Sequence, residues 1–379
     1  MPTLSEVMAL LDGWYPPATA DSWDAVGLVY GDPAASVSKV MFAVDPVLPV
    51  AQEAAAWGAD LLVVHHPLFL KPVHGVPATT PKGRTLATLT AAGCALLTAH
   101  TNADQAVGGV SEAMALALGL RDLRPLLPAA AGDAGPLDKL TVYVPAAQAD
   151  AVRAALADAG AGRIGDYDSA SFSSPGEGRF RPLEGARPTL GSVGRLEVVD
   201  EVRVECVLAR SLRSRVVAAM LAVHPYEEPA YDVVELAPGA PAATGTGRVG
   251  TVAPTTLRGF AERVAEALPA TAAGIRVAGD PDRRVERVAL CGGAGDFLLD
   301  RVARSDADVY VTSDLRHHPV SEFAEKDGPA LIDVPHWAAE WTWLPVVEAR
   351  LRTAFGEAGG DTVDTRVSTI VTDPWTFRI

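Results

Sequence analysis

Short apolar segments alternate with alanine- and leucine-rich segments through the first third of the chain. Apolar runs that are typical of buried strands occur at residues 39–45, 59–66 and 94–100. The segments between them, "VLPVAQEAAAWG" and "KGRTLATLTAAG", have helical composition, and each ends at a glycine. This strand–helix–strand order predicts βαβ units and sheets that are covered on both faces. We therefore expect an α/β fold, an α-β sandwich with mainly parallel sheets.

Two stretches rich in alanine, glycine and proline, 127–138 and 236–247, have the composition of linkers. The segment between them reads as strand, helix, strands, helix and strand, which is the βαββαβ order of a ferredoxin-like module. A module bounded by two linkers is best explained as an insertion into an exposed loop. We predict that residues 136–240 form such an inserted α+β domain.

The last part of the chain resumes the pattern of the first. Apolar runs at 283–293, 307–314 and 328–336 again predict strands, each followed by a turn or a helix. A chain of 379 residues is also too long for one ordinary core. We therefore predict one split metal-binding α/β domain, formed by residues 1–130 and 245–379, around the insertion.

The charge of the chain argues against several kinds of partner. Its formal net charge is -15 and its pI is about 5.0, with no run of lysine or arginine. Nucleic acid and anionic membranes are therefore disfavoured as partners. There is neither a basic leader nor an apolar run long enough to span a bilayer, so we expect a cytoplasmic protein. The three cysteines are far apart and form no CxxC pair, which disfavours a thiolate zinc site.

Two adjacent histidines end the strand pattern of "LLVVHHPLFL", residues 61–70. Neighbouring side chains of an extended strand point to opposite faces, so His65 and His66 cannot reach one site while the pleat continues. Pro67 indicates that the strand stops there, because a proline restricts the preceding residue and removes a ladder donor. Two imidazoles that diverge at a strand end could each serve a different metal ion.

Other metal-binding side chains occur at equivalent places. "AHTNAD" follows a predicted strand, and "VPHWAAEW" places an imidazole and a carboxylate four residues apart at the start of a predicted helix. Residues i and i+4 share one helix face, with Cβ atoms ~6 Å apart. Five or six nitrogen and oxygen donors suit two metal ions better than one zinc ion. Taken singly, a histidine at a strand end is more often a hydrogen-bonded or solvent-facing group than a ligand, but six candidate donors on four separate strand ends together favour a metal site. The candidates are His65, His66, His100, Asp104, His336 and Glu340.

The segment "TSDLRHHP" contains further candidates, since it also follows a predicted strand. His317 and His318 could line a substrate pocket or support a metal ligand from behind. Thr312 and Asp314 could hydrogen-bond a substrate or orient a ligand. The sequence leaves these alternatives open.

Three other segments have less specific interpretations. Trp23 and Asp24 could face the site or pack against the first helix. "CGGAGD" (291–296) favours a tight turn over a phosphate cradle, because it lacks the Lys-Ser/Thr of a phosphate-binding loop. "HPYEEPAYD" (224–232) favours a rigid turn over a metal site.

Several segments resemble the Nif-three-like family, whose members are dinuclear metal proteins known as GTP cyclohydrolase type-two homologues. The resemblance is carried by "SWDAVGLVYGDP", "HHPLFL", "AHTNADQA", "ADVYVTSDLRHH" and "IDVPHWAAE". "KLTVYVP", "GAGRIGDYDSASF" and "VHPYEEPAYDVVEL" are similar to the inserted PII- and CutA-like domain of the longer bacterial members. Together these segments extend over nearly the whole chain.

The resemblance implies a set of ligands and an assembly. It implies a homohexamer, a trimer of dimers, and two metal ions per chain. It places His100 beside the ligands, in the pocket or behind them. Pro335 and Ser313 stand where the family usually has glycine, and either difference could alter the shape of the pocket. The implied ligands are His65, His66, Asp104, His336 and Glu340, with Glu340 bridging.

Two functions follow as hypotheses. The first is a metal-dependent hydrolase that acts on a nucleotide or another phosphorylated small molecule, with His100 or His318 transferring protons. The second is a non-catalytic metal-binding or regulatory hexamer in which the inserted domain senses a small molecule. The donor set suits zinc, iron, manganese or nickel and leaves the choice among them open.

Overall fold

A computed structural model describes residues 1–129, 136–165, 167–237, 243–357 and 363–379. The predicted linkers lie in part outside these residues, at 130–135 and 238–242. The chain divides into two compact units, the first formed by Met1–Ala129 and Ala243–Ile379 and the second by Ala130–Ala242. Within the described ranges, no helix combines the length and the apolar character needed to cross a membrane.

Strands and helices alternate along both units. The described residues form the strands β1 (Gly27–Tyr30), β2 (Lys39–Ala43), β3 (Leu61–Val64), β4 (Ala95–Thr98), β5 (Arg121–Pro128), β6 (Leu137–Pro145), β7 (Phe172–Phe180), β8 (Glu197–Ala209), β9 (Tyr231–Glu235), β10 (Gly245–Thr256), β11 (Arg276–Ala278), β12 (Arg284–Ala294), β13 (Val309–Ser313), β14 (Ala330–Asp333) and β15 (Asp364–Val367). They form the helices α1 (Leu4–Trp14), α2 (Leu48–Trp57), α3 (Pro81–Ala91), α4 (Thr101–Gln105), α5 (Val110–Ala117), α6 (Ala149–Asp158), α7 (Arg213–Val223), α8 (Leu257–Ala267), α9 (Leu299–Val302), α10 (His317–Ala324), α11 (His336–Trp341) and α12 (Leu344–Glu357).

Local sequence explains where several helices begin and end. Thr3 and Glu6 form a reciprocal capping box at the start of α1. Thr80 caps α3 by accepting a hydrogen bond from the Gly83 amide. Gly58 ends α2 with a φ of 74°, a left-handed conformation that glycine adopts without steric cost.

The first sheet of the first unit has the strand order β1-β4-β3-β2-β15. The four strands from β15 to β4 are parallel, and only β1 runs antiparallel to its neighbour. β3 and β4 are buried along their whole length, as expected for central parallel strands that are covered on both faces. Because β3 and β4 are neighbours, the residues that follow them emerge at the same edge of the sheet.

The second sheet of this unit, ordered β11-β14-β13-β12-β10-β5, differs from the expectation of mainly parallel sheets. Only β12, β13 and β14 are parallel to one another, whereas β11, β10 and β5 pair antiparallel with their neighbours. The expectation came from the βαβ pattern, which describes strands joined through helices. β5 and β10 instead pair directly, with Pro128 opposite Gly245, at the two points where the second unit is connected.

Both sheets contribute to one hydrophobic core. Along β2, Val40 and Phe42 belong to this central cluster, whereas Met41 belongs to a separate cluster with α2 and α3. Along β13, Val309 also faces the central cluster, whereas Tyr310 packs in a third cluster that includes residues of α9 and α10. Helices therefore cover the outer face of each sheet, and α1, α5, α8, α11 and α12 contribute to the core between them. The result is a mixed α/β fold with several sheets.

The second unit has its own sheet and its own core. Its elements follow the order β6, α6, β7, β8, α7 and β9, and its sheet has the order β7-β8-β6-β9 with every pair antiparallel. Both helices pack on one side, where Val152 and Val216 contact the cluster formed by Leu140, Val142 and Val204. Asp138 is buried at the start of this sheet and accepts hydrogen bonds from Arg210 and Arg213.

Candidate metal centre

The end of β3 brings two neighbouring imidazoles together. The amide of His65 donates to the carbonyls of Ala43 and Val44, and the amide of His66 also donates to Val44, so the regular ladder stops here. The two rings lie 5.1 Å apart and are inclined at 45°, rather than pointing to opposite faces. The strand termination that Pro67 predicts therefore lets both side chains reach one edge of the sheet.

The end of β4 adds a third imidazole and a carboxylate. His100 precedes α4, and its ring lies 5.0 Å from that of His65 and 5.6 Å from that of His66. Asp104 lies within α4, and its Oδ1 is 3.7 Å from His65 Nε2. The segment "AHTNAD" thus faces the double histidine, as neighbouring parallel strands require.

Helix α11 supplies the fourth imidazole and a carboxylate that lies at the centre of the cluster. His336 begins this helix, and Glu340 follows one turn later with only 2% of its surface exposed. Glu340 Oε1 lies 2.7 Å from His336 Nε2 and 3.4 Å from His65 Nε2, and its Oε2 lies 3.1 Å from His66 Nε2. Glu340 therefore contacts three imidazoles that come from opposite ends of the chain.

A glycine near the end of β12 makes room for this carboxylate. Gly293 has a φ of 74°, and a Cβ at this position would lie 2.6 Å from Glu340 Oε1. Thr312 donates a hydrogen bond to the Gly293 carbonyl. The tight turn predicted for "CGGAGD" is wrong for its first four residues, which belong to the end of β12, where the pairing with β13 is irregular between Leu290 and Ala294.

Each of the four imidazoles is held through its Nδ1 atom. Acceptors at 2.7–2.9 Å fix the ring orientation and hold the proton on Nδ1, so that Nε2 is the nitrogen that would bind a metal ion. The pairs are His65 with the Ala99 carbonyl, His66 with Asp45, His100 with Asp24, and His336 with Asp314.

Three of these four acceptors are carboxylates, and the sequence identified two of them. Asp24 and Asp314 were candidates with open roles, and the structure places each against one imidazole. Asp314 adopts a φ of 60°, which is uncommon for a residue other than glycine. Asp45 was missed, because a single aspartate after a strand resembles a turn residue. The Asp-Pro pair at residues 45–46, directly after a buried strand end, is the only local signal.

The remaining candidates lie outside this cluster. Trp23 packs edge-on against the His100 ring at 5.9 Å and is 57% exposed. His317 and His318 contact each other at the exposed start of α10, and within the described ranges no hydrogen bond, ion pair or ring contact joins them to the four imidazoles. Pro335 caps α11, and Ser313 is buried at the end of β13.

Several buried atoms of the cluster lie within ion-pair distance of one another, yet form no well-directed hydrogen bond. A buried polar atom without a partner costs about 1–3 kcal/mol, so native structures rarely retain it. Ligation of a cation would satisfy nitrogen and carboxylate atoms of this kind together. Two groups of side chains have donor atoms within 4.8 Å of one another, namely His65, His66 and His100, and His66, His336 and Glu340. The unpartnered atoms are His65 Nε2, Asp104 Oδ1, His336 Nε2 and Glu340 Oε2.

The charges of the cluster are strongly coupled. Burial opposes ionisation of Glu340, but His66, His336 and His65 hold its pKa well below the usual range. Burial also opposes protonation of His66 and His336, yet Glu340 and their own aspartates raise the pKa to about 11 and about 10 respectively. Burial raises the pKa of Asp104 to about 7. Without a metal ion, protons on the imidazoles balance the carboxylates, and a bound metal ion would replace those protons.

Comparison with known proteins gives a consistent result over the whole chain. The family model described as Duf34/NIF3 (NGG1p interacting factor 3) matches residues 2–374. A Mycobacterium tuberculosis protein named "GTP cyclohydrolase 1 type 2 homolog" is 50% identical over 373 residues, covering 98% of this chain and 96% of its own. A Bacillus subtilis protein of the same name is 40% identical over 334 residues, which is 88% of either chain. The crystal structure of a Bacillus cereus protein related to NIF3 is similar with a TM-score of 0.67 and 35% identity, covering 100% of this chain and 99% of the other.

Proposed function

The chain belongs to the DUF34/NIF3 family, and we propose that it binds two divalent metal ions and hydrolyses a nucleotide or another phosphorylated small molecule. The observation that carries the proposal is the convergence of four buried, unpartnered side-chain atoms on one edge of the first sheet. The name shared by its relatives, GTP cyclohydrolase 1 type 2 homolog, favours a nucleotide.

The proposed ligands divide into two groups around Glu340. Asp104 and His65 would hold one ion, and His66 and His336 would hold the other. Glu340 would bridge them, which is supported by its contacts with histidines of both groups. The closeness of His100 to His65 and His66 also allows it to act as a ligand of the first ion. Nitrogen and oxygen donors suit zinc, iron, manganese or nickel.

The chemistry requires an activated water and a group that accepts its proton. Divalent ions bound here would act as Lewis acids and lower the pKa of a water molecule between them. His100 is the best-placed residue to accept a proton, because Asp24 holds its Nδ1 and leaves Nε2 free beside His65. His318, at the exposed start of α10, is the alternative. It would have to exchange a proton directly with the bound substrate.

Metal content and turnover together test this proposal. The protein should be purified without chelators, its metals counted by elemental analysis, and hydrolysis of GTP and a panel of phosphoesters measured with the metal that is found. We expect two metal ions per chain and turnover that a chelator abolishes. A protein that retains two metal ions and turns over none of these substrates would contradict the hydrolase proposal.

We further propose that the protein is cytoplasmic and assembles as a homohexamer, a trimer of dimers, as its family resemblance implies. Sedimentation equilibrium of the metal-replete protein tests the assembly. A single species of hexamer mass is expected, and a monomer at micromolar concentration would contradict it.

A second function is favoured by one feature of the second unit, which we propose is a PII/CutA-like ferredoxin-like domain. Its antiparallel sheet carries a cavity of about 560 Å³, lined by Phe180, Tyr226, Arg181 and Glu201 among others. Tyr226 donates a hydrogen bond to Glu201 and packs against Phe180. The protein would then be a regulatory metal-binding assembly that senses a small molecule. ATP or citrate should raise the melting temperature of the protein without being turned over. A rise that Tyr226→Ala abolishes and Tyr167→Ala leaves intact would support this function.

A further inference from the structure

A second cavity lies directly beside the candidate metal centre. It has a volume of about 510 Å³, which is within the range of small-molecule sites. One side is formed by His66 and His336 together with the aspartates that orient them, Asp45 and Asp314. Another part of the wall is formed by residues 372–375, 377 and 378. A molecule in this cavity would therefore lie next to the proposed metal ligands.

The segment 372–378 is fixed to the metal centre at its first residue. The Thr372 hydroxyl donates to Asp45 Oδ2, while Asp45 Oδ1 accepts the hydrogen bond of His66 Nδ1. Upstream, Ser368 donates to Glu53 and its carbonyl accepts from the Trp341 indole. The position of this segment is thus coupled to the orientation of one imidazole.

Asp373 is the least expected residue of this segment. Its side chain lines the cavity, only 9% of its surface is exposed, and its Oδ2 atom has no hydrogen-bond partner. A carboxylate that is buried to this extent normally accepts hydrogen bonds, because an unpaired one loses its hydration without compensation. Since a carboxylate only accepts, a ligand that pairs with it must present N–H or O–H donors.

Arg378 gives the same cavity a positive group. Its guanidinium packs on Gly274, where a Cβ would lie 2.5 Å from Arg378 Nη1. Among the described residues, Arg378 forms no ion pair or hydrogen bond, whereas Arg276, which also lines the cavity, is bound to Asp333. Arg378 is therefore free to pair with an anionic group of a ligand.

Two aromatic side chains complete the lining. Trp375 and Phe377 are 68% and 76% exposed, although both belong to the cavity wall. Ring faces of this kind stack on planar heterocycles such as nucleobases. The cavity thus combines a buried acceptor, a cation and aromatic surface.

We infer that residues 373–378 form the substrate-recognition side of the metal centre, for a planar nitrogen heterocycle that presents N–H donors and carries an anionic group. Asp373 accepts from the donor edge of the ring, Arg378 pairs with the anion, and Trp375 and Phe377 contact the ring face. This inference rests on the proposed function, since it assigns the substrate class of the same site.

Ligand binding to the full, metal-replete chain tests it without relying on turnover. The probes are GMP, AMP, which lacks the ring N–H donor, and guanosine, which lacks the phosphate. We expect GMP to bind more tightly than AMP by about tenfold or more, which corresponds to about 1.4 kcal/mol or more of binding free energy. Asp373→Asn should remove that preference, and Arg378→Gln should weaken GMP by about tenfold while leaving guanosine unchanged. Calorimetric titration measures the affinity of each of the three probes for the unmodified protein and for both variants.

Matched variants and metal analysis separate the possible failures. Asp364→Asn and Arg352→Gln change exposed residues outside the cavity and should bind GMP as the unmodified protein does. Both cavity variants should keep the full metal content, and Arg378→Gln, at an exposed position, tests the inference even if Asp373→Asn fails to fold. The inference is overturned if Arg378→Gln binds GMP as tightly as the unmodified protein, if the unmodified protein binds GMP and AMP equally, or if the unmodified, metal-replete protein binds no GMP. The proposed function is judged independently, on metal stoichiometry and turnover.

Discussion

Glu340 Oε2 lies 3.1 Å from Nε2 of His66, which joins a helix of the last third of the chain to a strand end of the first third. The same carboxylate contacts His336 through its other oxygen. The contact with His336 is local to α11, whereas the contact with His66 joins distant parts of the chain, so the centre exists only when both parts of the first unit fold together. Four measurements test the site and its supports, and a fifth tests the second unit.

Glu340→Gln should reduce binding of both metal ions. An amide has no negative charge to bridge two cations, while the change in volume is negligible. Elemental analysis should find far less metal in Glu340→Gln than in the unmodified protein. The control is Glu325→Gln, which changes an exposed residue and should keep the full metal content. Full occupancy of both sites in Glu340→Gln would show that this carboxylate does not bridge.

His65→Ala and His66→Ala should have unequal effects on the two ions. His65 contacts Asp104, whereas Nε2 of His66 contacts Glu340, and the ring of His66 lies 5.2 Å from that of His336. Each variant should lose mainly one ion, as seen by stepwise titration with Co²⁺ and its absorption spectrum. His74→Ala, at an exposed position, controls for the loss of an imidazole. Complete loss of both ions in each variant would mean that the sites are not separable.

Asp45→Asn should weaken metal binding without removing a ligand. Asp45 orients His66 from behind, and loss of such a partner typically costs 10–100-fold in metal affinity. Competition with a fluorescent chelator measures the change. Thr372→Val should have a smaller effect in the same direction, because it only orients Asp45. Asp282→Asn, an exposed aspartate, should have none. An unchanged affinity in Asp45→Asn would show that the His66 ring is held in other ways.

Gly293→Ala should disturb the position of Glu340, and Gly119→Ala is its matched control. The two glycines have φ values of 74° and 77°, but only Gly293 has an atom within 4 Å of the added Cβ. Both variants should lose about 1–2 kcal/mol to the left-handed backbone. Gly293→Ala should lose roughly 1–3 kcal/mol more from overpacking and should also bind less metal. Urea unfolding and elemental analysis compare the stability and the metal content of the two variants. Equal losses in Gly293→Ala and Gly119→Ala would argue against the steric explanation.

Asp138→Asn should make the second unit less stable at neutral pH and less sensitive to acid. Hydrogen bonds from Arg213 and Arg210 lower the pKa of Asp138, so its charged form is favoured in the folded state. The resulting stabilisation is present above the unfolded pKa of about 3.9 and is lost as the pH falls through the lowered folded pKa. We expect a decrease in melting temperature of about 4–8 °C at pH 7. Asp200→Asn, exposed on the same sheet, is the control. Equal acid sensitivity in Asp138→Asn and the unmodified protein would contradict this assignment.

The sequence was most informative where chemistry and local pattern coincide. Pro67 predicts that the strand ends at His65 and His66, and the spacing of His336 and Glu340 predicts a shared helix face. Both patterns are local, and the structure brings the four side chains together. The membership of the family is confirmed by a match over residues 2–374.

The features that the sequence did not indicate depend on contacts between distant residues. Asp45 becomes the partner of His66 only because β2 and β3 are neighbours, with Ala43 aligned with Val64. The antiparallel pairing of β5 with β10 was likewise missed, since no short-range period encodes which strand lies beside which. The steric need for Gly293 arises from a carboxylate on α11, far along the chain.

The pairing of Pro128 with Gly245 has a consequence for how a gene for such a protein can change. The two residues lie opposite each other on antiparallel strands, a geometry that a tight hairpin turn can also close. An in-frame deletion between these codons would then leave both sheets and every residue of the candidate metal centre encoded. A whole module could therefore be gained or lost in one recombination step, while the metal centre is inherited unchanged.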